Sequence, residues 1–242
     1  MLKEFVEKLT SLATPQTYEI NGDTYATVPI NRIAPHVDRL KSIEFSSLDG
    51  IVQAIKTEIS RDEIGKPLFV SIASHIKVEV FTTYRKDNMA RDMLYFARPD
   101  LPIAFNMWSD HDDAIIMLRS QFVPNAGTEY LLDLLSRISN EDSVTSDDNG
   151  VTQKVTASTG IAMKKTENIN GRVVLAPFRT FFEVDQPESE FILRIKQGET
   201  PKIGIIEADG GAWKLKAKHN IADYFRENLK DLISEKLVVV AE

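Results

Sequence analysis

Trp108-Ser109-Asp110-His111-Asp112-Asp113 is a dense run of side chains able to do chemistry. A His-Asp dipeptide with further carboxylates beside it can ligate a divalent metal, as in metal-dependent phosphohydrolases of the His-Asp type. His36 and His75 precede it in the chain. The same order of residues also reads as the start of a helix. Ser109 or Asp110 would cap it, and the acids of the first turn would sit at the positive end of the macrodipole. The cap explains every polar residue in the run, so it is the preferred reading, and no metal or cofactor is expected. Nucleophilic catalysis finds little support, because there is no G-x-S-x-G elbow. The chain has no cysteine, which removes a thiolate nucleophile, a disulfide scaffold, a Cys-ligated zinc site and an iron–sulfur site. Neither a phosphate-binding P-loop nor a G-x-G-x-x-G turn occurs. Paired carboxylates brought together by folding keep a generic acid–base enzyme open.

A second constellation is cationic. Read as a strand, residues 190–196 place Phe191, Leu193 and Ile195 on one face, with Arg194 and Lys196 opposite. Residues 212–218, read the same way, place Trp213, Leu215 and Ala217 opposite Lys214, Lys216 and Lys218. If both strands share a sheet, five cations line one face. Such a face is either a solvated exterior, where Lys is ordinary, or a site for the phosphates of a nucleotide or nucleic acid. Arg179 sits among Phe178, Phe181 and Phe182, which read as core and corner residues. It could join the cations from that corner, and Trp213 or Trp108 could stack a base at a rim. The candidate ligand-binding set is therefore Arg179, Arg194, Lys196, Trp213, Lys214, Lys216 and Lys218.

The elements that must hold these residues follow from periodicity. Residues 2–12 carry Leu2, Phe5, Val6, Leu9 and Leu12 at helical spacing. Two short strands flank Asn21-Gly22, a strong hairpin signal. Ser47 can cap a helix over 48–59. Strands are expected at 67–74, 76–84, 92–98 and 103–107, then helices at 112–122 and 128–138. Beyond the polar run at 140–150 the pattern turns to strands: 151–157, then 161–169 paired with 172–176 across Asn170-Gly171, then 190–196. A further pair, 202–207 and 212–218, flanks Asp209-Gly210-Gly211. A helix at 221–232 and a strand at 237–240 complete the reading. Short spacers and hairpin turns argue for antiparallel pairing rather than βαβ crossovers. The fold class is α+β, a meander-rich antiparallel sheet with helices packed on one side or end. One domain over 1–242 is expected, with 140–150 the one candidate boundary.

The 242 residues include 43% hydrophobic and 27% charged side chains, enough apolar material for a sizeable core. The formal net charge of −7 arises in residues 91–150, where four basic side chains meet eleven acidic ones. Strong non-specific duplex binding is not expected from such a balance, although a local cationic patch remains compatible with it. No apolar run approaches the roughly 18–20 residues needed to span a bilayer. The first fifteen residues alternate charge with apolar side chains, unlike a signal peptide. A soluble intracellular protein is the expectation.

Two segments carry a resemblance. One is Asp147-Asp148-Asn149-Gly150-Val151-Thr152-Gln153-Lys154-Val155-Thr156. The other runs from Val174 through Pro177-Phe178-Arg179-Thr180-Phe181-Phe182 to Pro187, with Phe191 to Arg194. They resemble conserved proteins of bacteriophages and prophages related to the YfdQ-like family, over about the last 130 residues. The resemblance implies a phage origin and action in the cytoplasm of an infected bacterium. It implies no reaction.

Three functions follow as expectations. The first is a non-enzymatic phage accessory protein of counter-defence that sequesters a nucleotide-derived immune signal or blocks a host defence protein. The second is an accessory of phage DNA replication or recombination. The third is a metal-dependent phosphohydrolase built on His111-Asp112. Missing catalytic motifs favour the first two, and the missing basic charge favours the first over the second. Several hairpins with few helices to cover their edges lead to a further expectation, a homo-oligomer.

Overall fold

The computed structural model describes residues 2–20, 23–26, 40–86, 88–101, 108–137, 143–148, 152–159, 163–196 and 202–242. The strand expected at 103–107 and His36 lie outside them. The chain divides into two compact units, Met1–Arg39 and Leu40–Glu242. In the first, the helical spacing of apolar residues produces α1 (Leu2–Ala13). β1 (Thr17–Ile20) and β2 (Asp23–Ala26) pair antiparallel, Thr17 against Ala26 and Ile20 against Asp23.

The second unit runs through β3 (Ile43–Phe45), α2 (Leu48–Glu58), β4 (Leu68–Ser74), β5 (Lys77–Phe81) and β6 (Met93–Ala97). It continues through β7 (Trp108–Asp110), α3 (His111–Ser120), α4 (Ala126–Ser136), β8 (Ser143–Asp148), β9 (Thr152–Thr159) and β10 (Met163–Asn170). It ends with β11 (Arg172–Leu175), β12 (Ser189–Lys196), β13 (Lys202–Glu207), α5 (Trp213–Asn228), α6 (Lys230–Ser234) and β14 (Val238–Ala241). The strands form three sheets, ordered β14-β4-β5-β6-β3, β11-β12-β13-β7 and β10-β9-β8. Helices and antiparallel-rich sheets together make an α+β fold, as the sequence pattern implies.

Two cores position everything else. Ser47 Oγ accepts the Gly50 N–H at 3.2 Å and starts α2. Ile51 and Ile55 of α2 then pack with Val70, Ile72, Val78 and Val80 of the five-stranded sheet and with Ile221 and Phe225 of α5. In the second core, Leu118 of α3 and Leu131 and Leu135 of α4 cover Leu175, Phe191, Leu193, Ile203 and Ile205 of the four-stranded sheet. Asn125 and Thr128 form a capping box at the start of α4. A Cβ on Gly127 would lie 2.1 Å from the Val174 carbonyl oxygen, so only glycine lets α4 rest this closely on β11.

Three local expectations are corrected. First, residues 212–218 are not a strand but the opening of α5. The Asp209 carboxylate accepts the N–H groups of Gly211 and Trp213 at 2.9 and 3.1 Å, and Gly210 and Gly211 take positive φ of 64° and 84°. That turn launches a helix rather than a hairpin. The apparent alternation fails at Leu215, which is 61% exposed, while Trp213, Ala217 and Ile221 repeat at helical spacing and are buried. Second, β10 does not pair with β11 across Asn170-Gly171. β10 pairs with β9 and β11 with β12. Val173 and Leu175 instead go to the core beneath β12. Third, pairing is not purely antiparallel. β14 runs parallel to β4 after α5 and α6, and β3 runs parallel to β6; Val238 of β14 joins the buried core.

Candidate functional site

The four-stranded sheet is two-faced. Its inner face is the apolar layer under α3 and α4. Strand alternation puts the intervening residues on the other face, and the register sets them in rows. Arg172 stands beside Ile192, and Ile192 beside Ile206. In the next row Arg194 stands beside Gly204, and Gly204 beside Trp108. The last row is Lys196, Lys202 and Asp110. Four cations, one tryptophan and two apolar residues therefore share one outward surface.

Trp108 is laid flat on this surface because Gly204 has no side chain. A Cβ built on Gly204 would come within 2.9–3.0 Å of three Trp108 ring atoms. The indole remains 38% exposed, with the Lys196 ammonium 4.0 Å from its ring centroid. Lys202 bridges to Asp110 at 2.6 Å, and Arg172 bridges to Glu190 at 2.8 Å. Both pairs are well exposed, so each is a weak and exchangeable contact. Arg194 is half-buried and donates to the Leu193 carbonyl at 3.0 Å. Among the described residues of this face, Arg172, Arg194, Lys196 and Lys202 outnumber the two carboxylates, Glu190 and Asp110, on a chain whose net charge is −7.

Of the expected ligand-binding set, Arg194 and Lys196 stand on this face. Lys214, Lys216 and Lys218 do not join them. They lie on α5, where about 200° of rotation separates neighbours two residues apart. Arg179 and Trp213 are brought together elsewhere. The Arg179 guanidinium lies 3.7 Å from the Trp213 ring centroid, and the two residues are 5% and 7% exposed. Arg179 pairs with Glu207 and donates to Ser189 Oγ at 2.7 Å and to the Pro187 carbonyl at 3.0 Å. Burial lowers its pKa to about 10, opposed by Glu207 and Asp209, so it stays charged at neutral pH. His75 meets Trp213 edge-on at 4.7 Å. Its pKa is lowered by burial, then by the charges of Lys214 and Arg179. This cluster ties strand, loop and helix together.

The Trp108–Asp113 run is divided. Trp108 belongs to the sheet face. Asp110 occupies the N-cap position of α3 without a side-chain cap bond and turns to Lys202 instead. His111 is buried, its Nε2–H donating to the Leu135 carbonyl at 2.8 Å, with Nδ1 3.0 Å from Asp112. Among the described residues, no three His, Asp or Glu side chains are placed to share a metal ion. No helix among them is long and apolar enough to cross a membrane.

Arg172 and Lys202 were not among the expected ligand-binding residues. Their signal is the same alternation that marks Arg194, since each flanks a buried Val173 or Ile203 in its strand. No protein-family model, curated protein sequence or solved structure matches this chain.

Proposed function

We propose that the chain is a non-enzymatic binding protein whose outward, cation-bearing sheet face takes a ligand made of bases and phosphates. The observation that carries this reading is the exposed Trp108 ring, flat on Gly204 and flanked by cations in adjacent rows. A base would stack on the indole in place of the Lys196 ammonium. Arg172, Arg194, Lys196 and Lys202 would then hold phosphates as exchangeable charge-assisted donors. In the infected bacterium implied by the phage resemblance, such a site would sequester a nucleotide-derived immune signal. A single-stranded nucleic acid in phage replication or recombination is the second reading. The spread of the cations over three strands favours it, since compact nucleotides usually occupy concave sites. A host defence protein as target and a homo-oligomer stay within the proposal. The exposed Val174 and Val239 on the edge strands β11 and β14 support self-association, which light scattering checks.

Titration calorimetry tests the site with a panel of cyclic dinucleotides and with an oligothymidylate of about ten residues. Replacing Arg194 and Lys196 together by Gln should weaken binding roughly a hundredfold or more, at about 1.5–3 kcal/mol per charge-assisted bond. Replacing Lys214 and Lys216 together should leave it unchanged. Preference for a cyclic dinucleotide supports the first reading. Salt-sensitive preference for the oligonucleotide supports the second. Equal binding by the wild type and the Arg194/Lys196 variant refutes both.

A further inference from the structure

The segment from Phe178 to Glu188 builds a second surface, chemically opposite to the cationic sheet face. Gln186 pins it from within. Its side-chain oxygen accepts the N–H groups of Arg179 and Thr180 at 3.0 and 3.2 Å. Its amide nitrogen donates to the Phe181 and Val184 carbonyls at 2.9 and 3.3 Å. Glu183 fastens it from outside, accepting the Leu48 N–H at the start of α2 at 2.7 Å. Asn220 of α5 donates to the Asp185 carbonyl at 2.8 Å. A loop held this way keeps its shape before any partner arrives.

Two recesses lie against this loop and share Val184 and Asp185. The first is a cavity of about 340 Å³ walled by Pro124, Phe178, Phe182 and Val184, with Asp185 and Glu188 among its lining. The Phe178 and Phe182 rings are 5.6 Å apart and tilted by 45°, and Phe182 is 56% exposed. The second, about 260 Å³, is lined by Glu183, Asp185, Asp223, Tyr224 and Glu227 together with Val184 and Asn220. Neither lining includes a Lys, Arg or His. Some of the carboxylates are already engaged. Glu188 accepts from Asn125 at 3.1 Å, and Asp223 pairs with Arg226 at 2.8 Å. Among the described residues, the side chains of Asp185 and Glu227 have no partner.

We infer that this pair of recesses is a docking site for a basic polypeptide segment of a partner protein, which lays one Arg or Lys side chain in each. Charge complementarity selects the occupant. Five carboxylates line the recesses, and of these Asp223 is paired with a cation, Arg226, which is not itself in either lining, so an acidic segment is disfavoured there and a basic one is favoured. The aromatic pair selects it further. The apolar stem of an Arg or Lys packs on Phe178 and Phe182 while its charged end reaches Asp185 and Glu188. The second recess, across the Val184-Asp185 ridge, takes the next basic side chain. Two adjacent cation recesses on a rigid ridge suit a chain with repeated basic residues better than a single small cation.

Fluorescence anisotropy with a fluorescein-labelled peptide of alternating arginine and glycine tests this. The wild-type protein should bind it, and a peptide of alternating glutamate and glycine should not bind. Asp185→Asn combined with Glu227→Gln should weaken binding about tenfold, and Phe182→Ala about fivefold, with Phe182→Leu falling between it and wild type. All three positions are at the surface, so melting temperatures should stay at the wild-type value and nucleotide binding at the sheet face should be untouched. The inference is overturned if wild type does not bind the arginine peptide, or if the variants bind it as well as wild type does. Displacement of the peptide by micromolar spermidine would also overturn it, because a small polyamine would then be the better occupant.

Discussion

Arg179 over Trp213 and Lys196 over Trp108 are the same chemical pair in two surroundings. The first has its cation 3.7 Å from the ring and both residues more than nine-tenths buried. The second has its cation 4.0 Å from the ring, on an indole more than one-third exposed. Inside, the guanidinium is held by Glu207, Ser189 and the Pro187 carbonyl, and nothing from solvent can take its place. Outside, the ammonium has water as its alternative partner, and a base or phosphate can displace or capture it at little cost. Residue type does not separate a structural clasp from a candidate site. Burial and the number of fixed partners do.

The contrast is broken most severely at the buried pair. Arg179→Ala leaves Glu207 without its ion pair and Trp213 without its stacked cation. Loss of a buried pair member costs about 3–5 kcal/mol, and Arg179→Lys should recover little, since one ammonium cannot reach all three acceptors. Urea unfolding checks this. A midpoint within error of wild type would mean that the cluster is not a clasp.

At the exposed pair the stability effect should be slight and the binding effect larger. Trp108→Ala should weaken the base-and-phosphate ligand by about 1–3 kcal/mol, the usual loss of one stacked base, with Trp108→Phe retaining part. Gly204→Ala sharpens the point without touching any ligand group. Its new Cβ would meet the Trp108 ring at 2.9 Å and lift it from the sheet, so affinity should fall while the cations stay in place. Unchanged affinity in both variants would assign Trp108 to packing alone.

The smallest expected effect is a pH dependence at the buried cluster. Burial, then Lys214 and Arg179, hold the His75 pKa below its ordinary 6.5. The unfolded chain therefore binds a proton that the folded chain does not, in the window at and just below that value. Stability is complete above the window and falls as pH drops through it. The melting temperature should decline as pH drops through and below the ordinary histidine value of about 6.5, and His75→Gln should flatten that slope. An identical slope in the variant would show that other groups carry it.

Much of this frame is legible in the sequence where a local signal acts alone. Ser47 before the apolar periodicity of α2 and the alternation of Phe191, Leu193 and Ile195 both read correctly. The errors come where two periodicities coincide or pairing is decided at a distance. Trp213 and Ala217 fit a strand as well as a helix, and the Asp209 carboxylate that accepts the Gly211 and Trp213 N–H groups decides between them. Asn170-Gly171 has hairpin composition, but the apolar demand of β12 draws β11 away. The candidate site shows the same limit. Arg194 and Lys196 are readable from one strand. Arg172, Lys202 and Trp108 become their neighbours only through registers that no local pattern specifies, and the −7 balance conceals a basic face.

The chain contains two tryptophans, one in each pair, so their indole N–H signals report on the two surroundings separately. Nitrogen-15 NMR spectra, assigned with Trp108→Phe, would be followed during titration with a cyclic dinucleotide and, in parallel, with the oligothymidylate. The Trp108 signal should shift or broaden with at least one of them while the Trp213 signal holds its position. A Trp108 signal unmoved by both, or movement confined to Trp213, would remove the sheet face as the binding site.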